Sequence, residues 1–228
     1  MAAPISKKSV ELFYDVVSPY SWIGFEVLCR YRQVWKSMDL KLKPFFLGGV
    51  MKGSENQPPG FNMSKFVYMG NDIQHLRKHF QIPLEFPKDP VEVMFKRGSL
   101  SAMRFITAVD MKNPEFTEEI SRQMWLRIWN RDEDITKEES FIAAAKEAGL
   151  SEHVINDAIT NFKSQPVKDR LKEYTEEALG YGAFGAPTIV AKVEDGETHM
   201  IFGSDRFHVL GDLLGELYSG PQVQHSKL

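Results

Sequence analysis

Val10-Glu11-Leu12-Phe13-Tyr14-Asp15-Val16-Val17-Ser18-Pro19-Tyr20-Ser21-Trp22 is the stretch that decides the fold. Val10, Leu12 and Tyr14 alternate with Glu11, Phe13 and Asp15 in a β-rich run too short for a helix, which reads as a buried first strand. The run stops at Ser18-Pro19, and a hydroxyl residue followed by proline has the form of a helix N-cap and first helical position. Beyond it Trp22, Phe25, Leu28, Cys29 and Trp35 recur at helical spacing, predicting a helix over about residues 19–36.

Downstream, LKLKPFFLGGVM from Leu40 returns as a second strand, Leu40 and Leu42 alternating with Lys41 and Lys43. From about residue 63 to 180 the punctuation is that of successive helices. Asn113-Pro114-Glu115 opens the one carrying Trp125 and Trp129, whose shared face is expected in a core or a domain interface. Thr136-Lys137-Glu138-Glu139 reads as a capping box, with Gly149 closing that helix; Ser151 and Pro166 start the next two, the last ending at Gly180 or Gly182. Two apolar runs, PTIVAKV from Pro187 and THMIFG from Thr198, flank Glu194-Asp195-Gly196-Glu197 as a hairpin. A last helix is expected from about Arg206 to Leu217, after Ser204-Asp205. The order strand, helix, strand, helices, strand, strand, helix predicts an α/β fold, a β-α-β unit and a β-β-α unit split by an all-helical insertion.

At 228 residues, 43% of them hydrophobic, the chain can bury one substantial core or one domain with a large insertion. The formal charge of -3, with scattered Lys and Arg, offers no basic stripe for nucleic acid. No stretch approaches the roughly 20 apolar residues that span a bilayer, and the start lacks an apolar secretory segment, so neither membrane insertion nor secretion is expected. Cys29 is the single cysteine, which excludes an intramolecular disulfide and a Cys-x-x-Cys pair; a small buried hydrophobe is its expected role. His75 and His79 have the i, i+4 spacing of a zinc pair but no third ligand or accompanying Glu, so no metal is expected. Ser226-Lys227-Leu228 matches the C-terminal peroxisomal address, and a peroxisomal location is expected from it.

A split of this kind suits a thioredoxin-like fold. Ser18-Pro19-Tyr20-Ser21 stands where such oxidoreductases carry Cys-x-x-Cys, and Phe184-Gly185-Ala186-Pro187-Thr188 looks like their cis-proline loop, with Pro187 the candidate. From about Val10 to Tyr218 the chain resembles the kappa class of glutathione transferases, through VELFYDVVSPYSW, NQPPG followed by Lys65, GSLSAMRF, YGAFGAPT and FGSDR. The resemblance implies a thioredoxin-like domain in two parts, residues 1–62 and 181–228, around a helical insertion domain at 63–180. It also implies a homodimer, glutathione as co-substrate with no permanently bound cofactor, a small hydrophobic electrophile, and a mitochondrial pool beside the peroxisomal one.

The chemistry expected at Ser18 follows from glutathione's sulfur, since the reactive thiolate is the minor species at neutral pH. A hydroxyl at a helix N-terminus donates to that sulfur, and the helix dipole adds its positive end. The plainer reading of Ser18 is an N-cap alone. By resemblance the glutathione contacts are Ser18, Pro19, Tyr20, Asn56, Lys65, Ala186, Ser204 and Asp205, with Ser204 and Asp205 at the γ-glutamyl end and Lys65 near the glycyl carboxylate. Taken locally, Ser204 and Asp205 also read as a helix cap, and Lys65 as a solvated surface group. The expected activity is conjugation to electrophiles such as halogenated aromatics, with reduction of organic hydroperoxides beside it. The alternatives are a glutathione-dependent isomerase of the 2-hydroxychromene-2-carboxylate type and a non-catalytic thioredoxin-like chaperone or assembly factor.

Overall fold

The computed structural model describes residues 7–193 and 196–223. Its centre is β1 (Lys8–Tyr14), paired parallel to β2 (Met38–Pro44), with Leu12 opposite Leu42. On its other side β1 runs antiparallel to β3 (Thr188–Lys192), with Leu12 opposite Ile189, and β3 pairs antiparallel with β4 (Thr198–Phe202). The resulting four-stranded order β2-β1-β3-β4 joins the β-α-β and β-β-α units expected from sequence.

Alternation along β1 sorts its side chains between two cores, because successive residues face opposite sides of a sheet. Val10, Leu12 and Tyr14 enter the larger core with α1 (Pro19–Tyr31), α3 (Met63–Phe80), α4 (Leu100–Lys112), α5 (Thr117–Trp129) and α9 (Phe207–Leu214). Phe13 faces the smaller one, with Phe45, Val190, Val50 of α2 (Leu47–Gly53) and Ala178 of α8 (Gln165–Gly180). α6 (Glu138–Glu147) and α7 (Glu152–Asn161) add Phe141 and Ile155 to the larger core. Trp125 of α5 joins helices to sheet, its ring 5.2 Å from Tyr14 and 4.7 Å from Phe25. Among the described residues no helix is long and apolar enough to cross a membrane.

Four local expectations give way, two to contacts remote in sequence and two to competing neighbours. The second strand ends at Pro44, and α2 follows instead of more strand: Phe46 N–H donates to Thr175 Oγ1 at 3.0 Å and Leu47 N–H to Asp15 Oδ2 at 2.9 Å, which satisfies amides at the start of the helix. α1 stops at Tyr31 because Trp35 folds back on the Tyr31 ring, 4.4 Å away, and donates its indole N–H to Leu217 O at 3.0 Å. The capping box at Thr136 does not form. Asp134 Oδ1 accepts both the N–H (2.9 Å) and the hydroxyl (2.7 Å) of Thr136, and Lys137 becomes the N-cap of α6 without a side-chain bond. α9 ends at Leu214, where Gly215 takes φ +73°, a left-handed conformation suited to glycine. Glu194, Asp195 and the Ser226-Lys227-Leu228 tripeptide lie outside the described residues.

Candidate active site

Ser18 sits at the join of β1 and α1 in extended conformation, with Pro19 as first helical residue. Its Oγ accepts the Ser21 N–H at 3.1 Å, so Ser18 is an N-cap. The same hydroxyl lies 3.4 Å from Ala186 O, to which it donates. The side that meets Ala186 is where the cis Ala186–Pro187 peptide stands. Among the described residues the Ala186 N–H meets no backbone acceptor, and the residue is half-buried.

Gly24 allows this juxtaposition. A Cβ there would lie 3.1 Å from Pro187 Cγ and 3.8 Å from Ser204 Cβ, so α1 backs directly onto both. Gly203 N–H donates to Pro187 O at 3.0 Å and fixes the end of β4 on the same loop. Ser204 is buried and Asp205 exposed, the latter ion-paired with Arg206. Neither caps α9, whose N-cap is Arg206 without a side-chain bond.

Asn56 reaches the same loop, its Nδ2 donating to Phe184 O at 2.7 Å. Tyr20 donates its hydroxyl to Asp72 Oδ2 at 2.8 Å and ties α3 to the start of α1; burial and the Asp72 carboxylate push its pKa well up, so it stays a neutral donor. Lys65 is exposed in the first turn of α3, its N–H held by the Asn62 side chain at 3.1 Å. Ser18, Ala186, Pro187 and Ser204 thus cluster directly, Asn56 joins through Phe184, and Asp205 follows on the surface. Lys65 is linked only through its helix and the Tyr20–Asp72 bond.

Four residues that hold this site were not singled out for it by sequence. Trp125 Nε1 donates to Ser18 O at 3.3 Å and Trp129 Nε1 to Val16 O at 3.0 Å. Asp15 and Ser99 hydrogen-bond at 2.8 Å beneath the same loop. The indoles carry a helical core signal, which their apolar bodies satisfy; nothing local marks their N–H groups as loop anchors. Cys29 is 6% exposed, and burial, with Glu118 and Glu26 nearby, pushes its thiol well above the usual range, which leaves it unreactive. Among the described residues no group of three or more His, Cys, Asp or Glu is placed to hold a metal.

A hydroxyl at a helix N-terminus facing a cis-proline loop, on a β-α-β/β-β-α sheet, defines a thioredoxin-like protein, and the DSBA-like thioredoxin domain model matches residues 9–215. A solved structure of 2-hydroxychromene-2-carboxylate isomerase is similar in fold, with a TM-score of 0.70 at 20% identity over 91% of this chain and 94% of that one. Among curated proteins, the chain is 53% identical to glutathione S-transferase kappa 1 of Homo sapiens over 94% of both chains, and 49% identical to that of Rattus norvegicus over 93% of both. The chain belongs to the kappa class of glutathione transferases within the DSBA-like thioredoxin family, and is an enzyme of that class.

Proposed function

We propose that the protein is a glutathione transferase in which Ser18 stabilises the thiolate of bound glutathione for attack on small hydrophobic electrophiles. The observation that carries this reading is the Ser18 hydroxyl at the α1 N-terminus, held by a long 3.4 Å bond to Ala186 O that a stronger acceptor displaces. A charge-assisted hydrogen bond contributes roughly 1.5–3 kcal/mol and each pKa unit corresponds to about 1.4 kcal/mol, so one such bond lowers the thiol pKa by one to two units.

The cysteinyl segment of glutathione pairs with the Ala186 backbone as a short added strand. Pro19 and Tyr20 border it, Ser204 and Asp205 take the γ-glutamyl end, Lys65 lies near the glycyl carboxylate, and Asn56 adds a polar contact. In conjugation to a halogenated aromatic, sulfur bonds to the ring carbon, halide leaves, and the thiol proton goes to solvent. With an organic hydroperoxide the thiolate takes the terminal oxygen, alcohol leaves, and a second glutathione converts the sulfenic acid to disulfide and water. The helical insertion, residues 63–180, supplies the electrophile's side in this scheme, and a homodimer is the proposed assembly. Ser226-Lys227-Leu228 supports a peroxisomal location; unchanged distribution of a chain lacking Leu228 overturns it.

Ser18→Ala tests the central claim. The thiolate absorbance of bound glutathione is expected to titrate about one to two units higher, and kcat/KM to fall roughly tenfold or more. Full turnover with an unchanged thiol pKa leaves Ser18 as a helix cap only.

A further inference from the structure

The loop that presents Ser18 is organised by a carboxylate outside the glutathione contacts named above. Asp15 is fully buried, with three donors on its side chain: Val17 N–H to Oδ1 at 3.0 Å, and Leu47 N–H at 2.9 Å and the Ser99 hydroxyl at 2.8 Å, both to Oδ2. Its own carbonyl accepts the Ser18 N–H at 3.0 Å. One residue therefore joins the Ser18 loop to the first turn of α2 and the residue preceding α4.

These neighbours bring no counter-charge. Leu47 comes from α2, Ser99 from ahead of α4, Met103 of α4 meets Val16 N–H, and Trp129 of α5 meets Val16 O. Among the described residues no charged side chain hydrogen-bonds or ion-pairs with Asp15. A buried carboxylate with no cation is costly, and a neutral side chain filling the same space avoids the cost. Its replacement by Asn, however, leaves only one acceptor oxygen for the donors that two oxygens now serve.

We propose that Asp15 is a positioning residue for the thiolate site: its carboxylate locks Val16, Val17 and Ser18 against α2 and Ser99, so that the Ser18 hydroxyl and the first amides of α1 stay aimed at the sulfur. The proposal rests on the Ser18 reading above. It concerns the loop's geometry, since a negative charge under the site acts through space in the opposite direction, opposing the thiolate.

That difference in sign is the test. Asp15→Asn and Ser18→Ala are compared, each confirmed folded by circular dichroism, with glutathione thiolate absorbance followed against pH and kcat/KM measured beside it. With Asp15→Asn the thiol of bound glutathione is expected to titrate about one unit higher, corresponding to a roughly tenfold fall in kcat/KM on the acid limb. An unchanged or lowered thiol pKa in folded Asp15→Asn overturns the positioning role. If Ser18→Ala itself leaves the thiol pKa unmoved, the thiolate reading fails, a result separable from the first. Should Asp15→Asn not fold, Ser99→Ala removes one of the three donors and keeps the carboxylate. With the Ser18 loop less firmly held, the thiol of bound glutathione titrates higher and the acid limb of kcat/KM moves to higher pH with it; an unmoved limb and an unmoved thiol pKa overturn the proposal.

Discussion

Asp15 carries a stability cost that depends on pH. Burial pushes its pKa up from 3.8 to about 6, and the bonds from Val17, Leu47 and Ser99 only partly counter it. Between those values the folded chain holds a proton that the unfolded chain has released, so stability from this group is present below about 4 and is lost as pH rises through about 6. Two units correspond to about 3 kcal/mol. The stability difference between Asp15→Asn and the parent is therefore expected to shift by about 2 kcal/mol in favour of the variant from pH 4.5 to 7.5, the rest of the effect lying below pH 4.5. Urea unfolding at several pH values measures it, and a flat difference contradicts the burial argument. At Gly24 the constraint is steric: Gly24→Val drives a branched side chain into Pro187 and Ser204. The expected loss is roughly 1–3 kcal/mol, read as a lower urea midpoint, with weaker glutathione binding beside it.

Among the elements, α3 offers a local test through its cap. Asn62→Ala removes the acceptor of the Lys65 N–H and is expected to cost about 1 kcal/mol at that end of the helix. Amide exchange at Lys65 should quicken roughly fivefold while amides near Phe80 keep their rates; uniform quickening would show that the cap matters globally. Elements with signals inside their own sequence were legible beforehand, as at Ser18-Pro19, at Ser151, whose Oγ accepts Val154 N–H, and at Gly149, with φ +81°. Those begun or ended by distant partners were not. α2 depends on Thr175 and Asp15, and the end of α1 on Leu217. Two local signals were also outcompeted by nearer ones: Asp134, two residues away, captured Thr136, and Gly215 closed α9 before Leu217. The site divides in the same way. Ser18 and Pro187 lie in strings that mark them, whereas Asp15, Trp125 and Trp129 act through bonds to backbone atoms remote in sequence or hidden within the strand's alternation.

For the molecule as a whole, continuity of the larger core decides how it unfolds. Residues of β1, α1, α5 and α9 belong to one buried cluster, and Trp125 links the helical layer to both Tyr14 and the Ser18 carbonyl. One cooperative calorimetric transition is expected, and two resolved transitions would show that the helices between β2 and β3 melt independently. Trp125→Ala is expected to lower stability by roughly 3–5 kcal/mol and to act on the whole transition. Cys29, shut inside that core with its thiol held protonated, also bears on durability. On the reading proposed above, with glutathione as nucleophile, a sulfur that is over-oxidised or alkylated departs with its ligand, and a fresh one takes its place. The injury that ends the working life of a cysteine enzyme becomes here a spent reagent, and the protein outlasts it.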